Sequence, residues 1–366
     1  MSAVRASIAT LALALSLSTV AHAQVTPPRA CASSAAATLI PMTRFSPVSA
    51  VMTAPATLWV LYSDHDARNI DAVSLVEVRG IGGRSLEVET HEVGEGTVTR
   101  NSLAVIHGNI VAAWVQTDHH VGVYVHPLTG GGVDRRVALD APQVPTSVSV
   151  SAVGSGALIA WDDNTRGLRY ARLDANGGLV GTVTALAGRF SSLVVTALFD
   201  GLVMLQNAAH IRFLAPGARR PTPLRGAARI GGVSSPSVAS ASSRGYVAFT
   251  AAGSTHLTTL DAAAGDGHDH VLGPSGRGGE TGLVATPWGT FAAWTLNGAI
   301  QVVPVDSDGV AASSPFEVTD PVANEGARAP AVAGTPQMVA VVWYGVPARR
   351  PAGHAGAIRF VRLDCH

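Results

Sequence analysis

One short pattern recurs along this chain: a few small or apolar residues ending in a large apolar one. It reads Trp59-Val60-Leu61, Ala112-Ala113-Trp114, Ile159-Ala160-Trp161, Val203-Met204-Leu205, Val247-Ala248-Phe249, Ala292-Ala293-Trp294 and Val341-Val342-Trp343. The closing residue falls at 61, 114, 161, 205, 249, 294 and 343, at intervals of 53, 47, 44, 44, 45 and 49 residues. A polar turn follows each occurrence, and then an alternating strand that often ends in Asp and Gly. Examples are residues 168–174 before Ala175-Asn176-Gly177-Gly178, residues 300–306 before Ser307-Asp308-Gly309, and residues 358–364. Alternation punctuated by Asp/Asn-Gly is the hairpin signal of an antiparallel sheet. A further short strand, opened by Ser-Pro at 235 or Ala-Pro at 329, precedes the large residue. A sheet this small cannot bury both faces alone, so the units must pack side by side.

A unit of 40–50 residues carrying four short antiparallel strands is a propeller blade. Seven recurrences predict an all-β, seven-bladed β-propeller of four-stranded antiparallel blades. The recurrent Trp114, Trp161, Trp294 and Trp343 are read as packing between twisted neighbouring sheets, where a large flat ring fills space well. Across residues 47–364 the chain resembles β-propellers in general architecture. It lacks the Gly-His partner that a WD40 repeat would place with Trp161-Asp162, kelch-type glycine pairs, a sialidase Asp-box and the acidic calcium loop of integrin-like repeats. The resemblance therefore implies a fold and no particular function.

The ends of the chain carry two further signals. Residues 1–23 have the form of a secretory signal peptide: Arg5, an apolar stretch from Ile8 to Val20, and Ala21-His22-Ala23 at the cleavage point. That stretch is too short to span a bilayer, which takes about 20 residues, and no later segment is apolar for long enough. Removal of the leader leaves a secreted, periplasmic or cell-surface chain, with 24–46 as an N-terminal segment and 47–366 as the repeats. Only Cys31 and Cys365 are present, and two cysteines in an exported chain are read as a disulfide. Residues 37–43 look like an outer strand missing from the last unit. The last blade is therefore expected to take three strands from the C-terminus and one from the N-terminus, clamped by the disulfide.

Composition removes several chemistries. Every one of the 25 Lys+Arg residues is Arg, which excludes a P-loop, Schiff-base catalysis and Ser–Lys mechanisms. A lysine-free, Ala/Arg/Gly-rich chain also points to a GC-rich bacterial gene. Net charge is zero and the arginines are scattered, so no nucleic-acid footprint or polybasic membrane segment is expected. A Gly-x-Ser-x-Gly elbow is absent, and His91-Glu92 lacks the second His of a zincin helix.

The candidate site residues lie in hairpin turns. Turns between the second and third strands of a blade share a face with the inter-blade connections. This puts Asp64-His65-Asp66, Asp118-His119-His120 and Asp162-Asp163-Asn164 on one face of three consecutive blades. Arg349, Arg350 and His354 of the last blade join the same arc. Such an arc could bind a divalent metal, an anion or a sugar, although Asp and Asn also populate exposed turns simply to satisfy local backbone donors. Asp266, His268, Asp269 and His270 form a second cluster on the opposite face, with His268 and His270 as weak metal ligands. No cofactor is predicted beyond such a metal. Three functions remain open: a monomeric non-catalytic module binding a protein or glycan, which is favoured; a glycoside hydrolase or lyase using paired carboxylates at the channel mouth; and a purely structural ring.

Overall fold

The computed structural model describes residues 31–53, 56–65, 70–83, 85–129, 132–162, 167–188, 196–198, 201–206, 210–215, 218–224, 234–241, 244–261, 267–276, 279–319, 326–346 and 355–365. Among these every regular element is a strand. The chain starts with β1 (Cys31–Ser33) and β2 (Ala37–Met42). Blade I follows as β3 (Ser49–Thr53), β4 (Thr57–His65), β5 (Asp71–Arg79) and β6 (Glu87–Glu95). Blade II is β7 (Leu103–Ile106), β8 (Asn109–Val115), β9 (His120–Pro127) and β10 (Arg135–Asp140). Blade III is β11 (Val148–Val153), β12 (Gly156–Asp162), β13 (Gly167–Leu173) and β14 (Leu179–Ala187). Blade IV is β15 (Thr196–Leu198), β16 (Gly201–Gln206), β17 (His210–Leu214) and β18 (Thr222–Pro223). Blade V is β19 (Ser234–Ala241), β20 (Arg244–Ala251), β21 (Ser254–Asp261) and β22 (Asp269–Pro274). Blade VI is β23 (Thr281–Thr286), β24 (Gly289–Leu296), β25 (Ala299–Val305) and β26 (Phe316–Glu317). Blade VII is β27 (Gly326–Thr335), β28 (Met338–Val346) and β29 (Gly356–Cys365).

All seven sheets are antiparallel meanders, and the first strands form a closed ring in which β27 lies against β3. The recurrent residues sit in the second strand of each blade. Leu61, Trp161, Phe249, Trp294 and Trp343 are fully buried and Trp114 nearly so; the side chain of Leu205 lies outside the described residues. These strands are buried on both faces, because each sheet is covered by a neighbour on either side. The core is accordingly divided into seven apolar clusters, one per seam between blades.

The tryptophans do more than fill space. Trp114 Nε1 donates to the carbonyl of Glu95, at the end of blade I, at 3.0 Å, and Trp294 Nε1 donates to Pro274, at the end of blade V, at 2.8 Å. Each indole thus ties its blade to the preceding one and satisfies its own buried donor. Two glycines make room for the Trp114 ring: a Cβ on Gly94 would lie 2.5 Å from Cζ2, and one on Gly122 2.3 Å from Cε2.

The ring closes as the cysteines suggest, with one refinement. The outer edge of blade VII is built from two N-terminal pieces rather than one. β2 pairs with the first half of β29, and β1 pairs with its end. Cys31 stands directly opposite Cys365 and the disulfide is formed, with the Cα atoms 4.1 Å apart. Between the pieces, Ser34 N donates to Arg362 O at 2.8 Å and Ser34 Oγ accepts from Arg362 N at 3.0 Å. In blades III and VI the same position is a continuous turn, where Asp174 and Asp306 each accept two backbone N–H groups. In blade VII the covalent bond stands where those turns would be.

Among the described residues no helix is long and apolar enough to cross a membrane. The leader at 1–23 lies outside the described residues.

Candidate functional site

The first strands are rich in small residues, and the ring they form encloses a cavity of about 400 Å³ along its axis. Its lining comes from six of the seven blades, and Ser49, Ala50, Ser151, Ala152, Ala239 and Ala285 are among it. The mouth on the side of the inter-blade connections is crossed by an ion pair. Arg100 precedes β7 of blade II and Glu280 precedes β23 of blade VI, yet Arg100 Nη2 lies 2.5 Å from Glu280 Oε1. These blades are on opposite sides of the ring, so the pair spans the channel. Arg100 Nη1 also donates to Thr281 O at 3.4 Å, and the second oxygen of Glu280 accepts from the Ala329 N–H of blade VII. Burial pulls the Arg100 guanidinium below its ordinary pKa, and the charge and hydrogen bond of Glu280 oppose that shift.

The connection carrying Arg100 is held by hydroxyl groups. Thr99 Oγ1 donates to Val148 O at 2.5 Å, Ser102 Oγ donates to Thr99 O at 2.7 Å, and Ser102 N donates to Ser49 Oγ at 2.8 Å. Blades I, II and III are thereby fastened at one point, which aims Arg100 across the axis. Asn101 takes the left-handed conformation (φ 56°) and its carbonyl accepts from Val150 N at 2.8 Å. Its amide Nδ2 is shut off from solvent and has no hydrogen-bond partner among the described residues.

Of the turn residues expected to form an arc, Asp64, His65, Asp118, His120 and Asp162 are among the described residues with side-chain partners, each in its own blade or in the connection leading into it. Asp64 accepts hydrogen bonds from Thr43 N, at 2.9 Å, and from Thr43 Oγ1. Asp162, fully buried, does the same for Thr146 N at 2.7 Å, Thr146 Oγ1 and Ser147 N at 3.0 Å. In both blades the Asp ending the second strand pins the connection that leads into the first. His65 Nε2 and Arg44 Nη1 converge on Asp71 Oδ1 at 3.0 and 2.7 Å. In blade II, His120 bridges Asp118 and Asp140 at 3.1 and 3.2 Å, and the hydrogen bond with Asp118 raises its pKa. His119 occupies a left-handed position (φ 65°) and gives its carbonyl to Ala141 N. Asp66, Asp163, Arg349, Arg350, His354 and Asp266 lie outside the described residues.

On the opposite face, Asp269 turns inward and pairs with His256 Nδ1 at 3.0 Å, and His256 stacks on Phe249 with ring centroids 5.3 Å apart. His268 and His270 flank Asp269 in the chain. Since β22 begins at Asp269, its neighbour His270 projects to the other face of the strand.

A titratable cluster that the sequence reading missed lies on that face too, in the seam between blades I and II. Trp59, Glu77 and Glu89 are successive cross-strand partners, and His91 follows two residues after Glu89 on the same side. Across the seam His126 stands 5.3 Å from His91 and 5.2 Å from Trp59, between ring centroids. Asp134 accepts from Tyr124 Oη at 2.5 Å and from His126 Nδ1 at 2.9 Å. Burial pushes Asp134 up, but those two bonds outweigh it and hold the carboxyl below the ordinary value, while burial and Asp134 together push Tyr124 up. The Glu89/His91 alternation is visible in the sequence. Their meeting with Glu77, His126 and Asp134 depends on register and blade packing.

No family model matches the chain, and no curated protein matches it. Among solved structures it is similar to YCF48 bound to D1 peptide, with a TM-score of 0.51 at 15% identity over 96% of this chain and 100% of that one. It is also similar to the SapL1 lectin in complex with alpha methyl fucoside (TM-score 0.47, 11% identity, 86% of this chain and 97% of that one). A third similar structure is BamB from Moraxella catarrhalis (TM-score 0.45, 10% identity, 91% of this chain and 97% of that one). At such identities the likeness bears on the fold alone.

Proposed function

We propose that the protein is an exported, monomeric, non-catalytic binding propeller that holds part of a glycan or of another protein in its central channel. The observation that carries this reading is the channel cavity of about 400 Å³, lined in part by Asn101, whose amide Nδ2 is shut off from solvent and has no hydrogen-bond partner among the described residues. Such a volume falls among small-ligand sites, roughly 300–1,000 Å³. An unpaired buried amide calls for an oxygen acceptor, and sugar hydroxyls and peptide carbonyls both provide one. The described lining residues supply hydroxyls, a guanidinium and an amide but no carboxylate. This favours binding over hydrolysis, which needs two acids facing the bond to be cut. The Cys31–Cys365 disulfide and the leader-like residues 1–23 support export to an oxidising compartment.

The test compares wild type with Asn101→Gly on glycan and peptide arrays, followed by calorimetry on the hits. Glycine accepts the left-handed backbone at this position, so the variant removes the amide without straining the turn. The expected result is a loss of affinity of about tenfold or more with an unchanged unfolding midpoint. Equal binding by both proteins would move the site away from the channel. Turnover of aryl glycosides or polysaccharide by wild type would overturn the non-catalytic reading.

A further inference from the structure

We propose that the seam between blades I and II holds a divalent transition-metal site of the zinc type, formed by Glu77, Glu89 and His91. One ligand atom from each of the three lies within 4.8 Å of the others. In a tetrahedral zinc site with bonds of about 2.0–2.1 Å, ligand atoms stand about 3.4 Å apart, so closure asks for shifts of about 1.4 Å or less. His91 Nε2 is already 3.8 Å from Glu89 Oε1. It is shut off from solvent and has no hydrogen-bond partner among the described residues, as suits a lone pair waiting for a cation. Glu77 is almost fully buried and Glu89 half exposed, which gives the site a fixed floor and a route in from solvent.

The surroundings fit a metal in two further ways. The His91 ring is positioned by Trp59 and His126, with centroids 6.5 and 5.3 Å away. His126, a second imidazole beside the site, pairs through Nδ1 with Asp134 at 2.9 Å. The seam already holds a cation, for Arg79 forms a forked pair with Glu77 and reaches Glu89 at 3.5 Å. Arg79 is the last residue of β5 and about half exposed, so it can swing into solvent when a dication takes its place. An imidazole with two carboxylates selects zinc or copper over calcium or magnesium, which prefer oxygen alone.

The experiment titrates the full chain with zinc chloride by calorimetry and with copper chloride by tryptophan fluorescence, in wild type and in His91→Ala, Arg79→Ala and His268→Ala/His270→Ala variants. Expected are one zinc ion per chain, at least tenfold weaker binding in His91→Ala, and severalfold tighter binding in Arg79→Ala, whose removal frees both carboxylates. The His268/His270 variant should match wild type. Copper should quench fluorescence in wild type, and most of that quenching should disappear in Trp59→Phe. Circular dichroism checks the fold of His91→Ala; Arg79→Ala alters an exposed side chain and tests the site even if the former unfolds. Zinc affinity unchanged by both substitutions, or lost in the His268/His270 variant instead, overturns the assignment.

Discussion

Removing the Cys31–Cys365 bridge, by Cys31→Ser with Cys365→Ser, tests how the ring is kept closed. The bridge joins residues 334 apart, and releasing a loop of that length restores to the unfolded chain an entropy of about 6 kcal/mol at 25 °C, an upper figure from the loop-closure relation. The native contacts near the bridge offset little of this. β1 contributes three paired residues, two of them exposed, and a three-residue edge strand without a covalent anchor frays. β2 is different, because Met42 is fully buried in the seam between blades VII and I and its carbonyl accepts from Ala355 N at 2.8 Å. The variant should therefore keep the ring but lose its outermost tie.

Two readouts separate the global effect from the local one. In guanidinium, with an m-value of about 5 kcal/mol/M for a chain of this size, a loss of 3–6 kcal/mol lowers the unfolding midpoint by about 0.6–1.2 M. Hydrogen exchange should show Ala32 to Ser34 and the end of β29 losing protection, while amides paired between β2 and β29 keep it. A midpoint within about 0.2 M of wild type, with protection of β1 unchanged, would refute the argument. Closure would then rest on the packing of β2 alone.

Three other perturbations have definite expectations. Gly94→Ala sets a methyl group into the Trp114 ring, 2.5 Å from Cζ2, and should cost about 1–3 kcal/mol, read as a lower denaturation midpoint and an altered near-ultraviolet tryptophan signal. Asp162→Ala leaves Thr146 N and Ser147 N without their acceptor; a loss of about 3 kcal/mol is expected, smaller for Asp162→Asn, with ligand affinity unchanged. Asp118 and then Asp140 raise the folded-state pKa of His120, so its contribution is full below the unfolded value of about 6.5 and fades as pH rises through the raised one. Wild type and His120→Gln should thus differ in stability at about pH 5.5 and converge above about pH 8.5, as followed by denaturation midpoints and an NMR titration of the imidazole.

How far the sequence could be read depends on which contacts are periodic. The second strands were legible because burial on both faces forces the same apolar run in every blade, ending at Trp114, Trp161, Phe249, Trp294 or Trp343. Leu61 is the weaker case, yet it pairs with Ser49 at the start of β3 much as Trp161 pairs with Val148 and Trp294 with Thr281. Closure was legible because Cys31 and Cys365 fall in register with the repeat; the split of the outer edge into β1 and β2 was not, since Ser34–Ala36 carry no turn signal. Polar residues were harder. Asp64 and Asp162 are short acids at strand ends, and such a residue suits a ligand or the nearest backbone donor equally well. Only the position of Thr43 and Thr146 decides that here it meets the connection. Arg100 and Glu280 are 180 positions apart in sequence, and nothing local to either foretells the other.

The places where the repeat is broken therefore carry the most information about function. Most seams are filled by apolar side chains, and a buried polar group there costs free energy unless it is paired. A ring selected only for stability would gain by filling its axis with larger apolar residues. Replacing a buried ion pair with well-packed hydrophobic side chains is often neutral or stabilising by about 1–4 kcal/mol. This chain instead keeps small residues along the channel and spans its mouth with Arg100 and Glu280. Asn101 Nδ2, in a residue that lines the channel, and His91 Nε2, in the first seam, are among several buried polar atoms without a hydrogen-bond partner among the described residues. Neither group is needed to hold a blade. In the binding and metal readings proposed above, both would be satisfied by something arriving from outside, an oxygen acceptor for the amide and a cation in the seam.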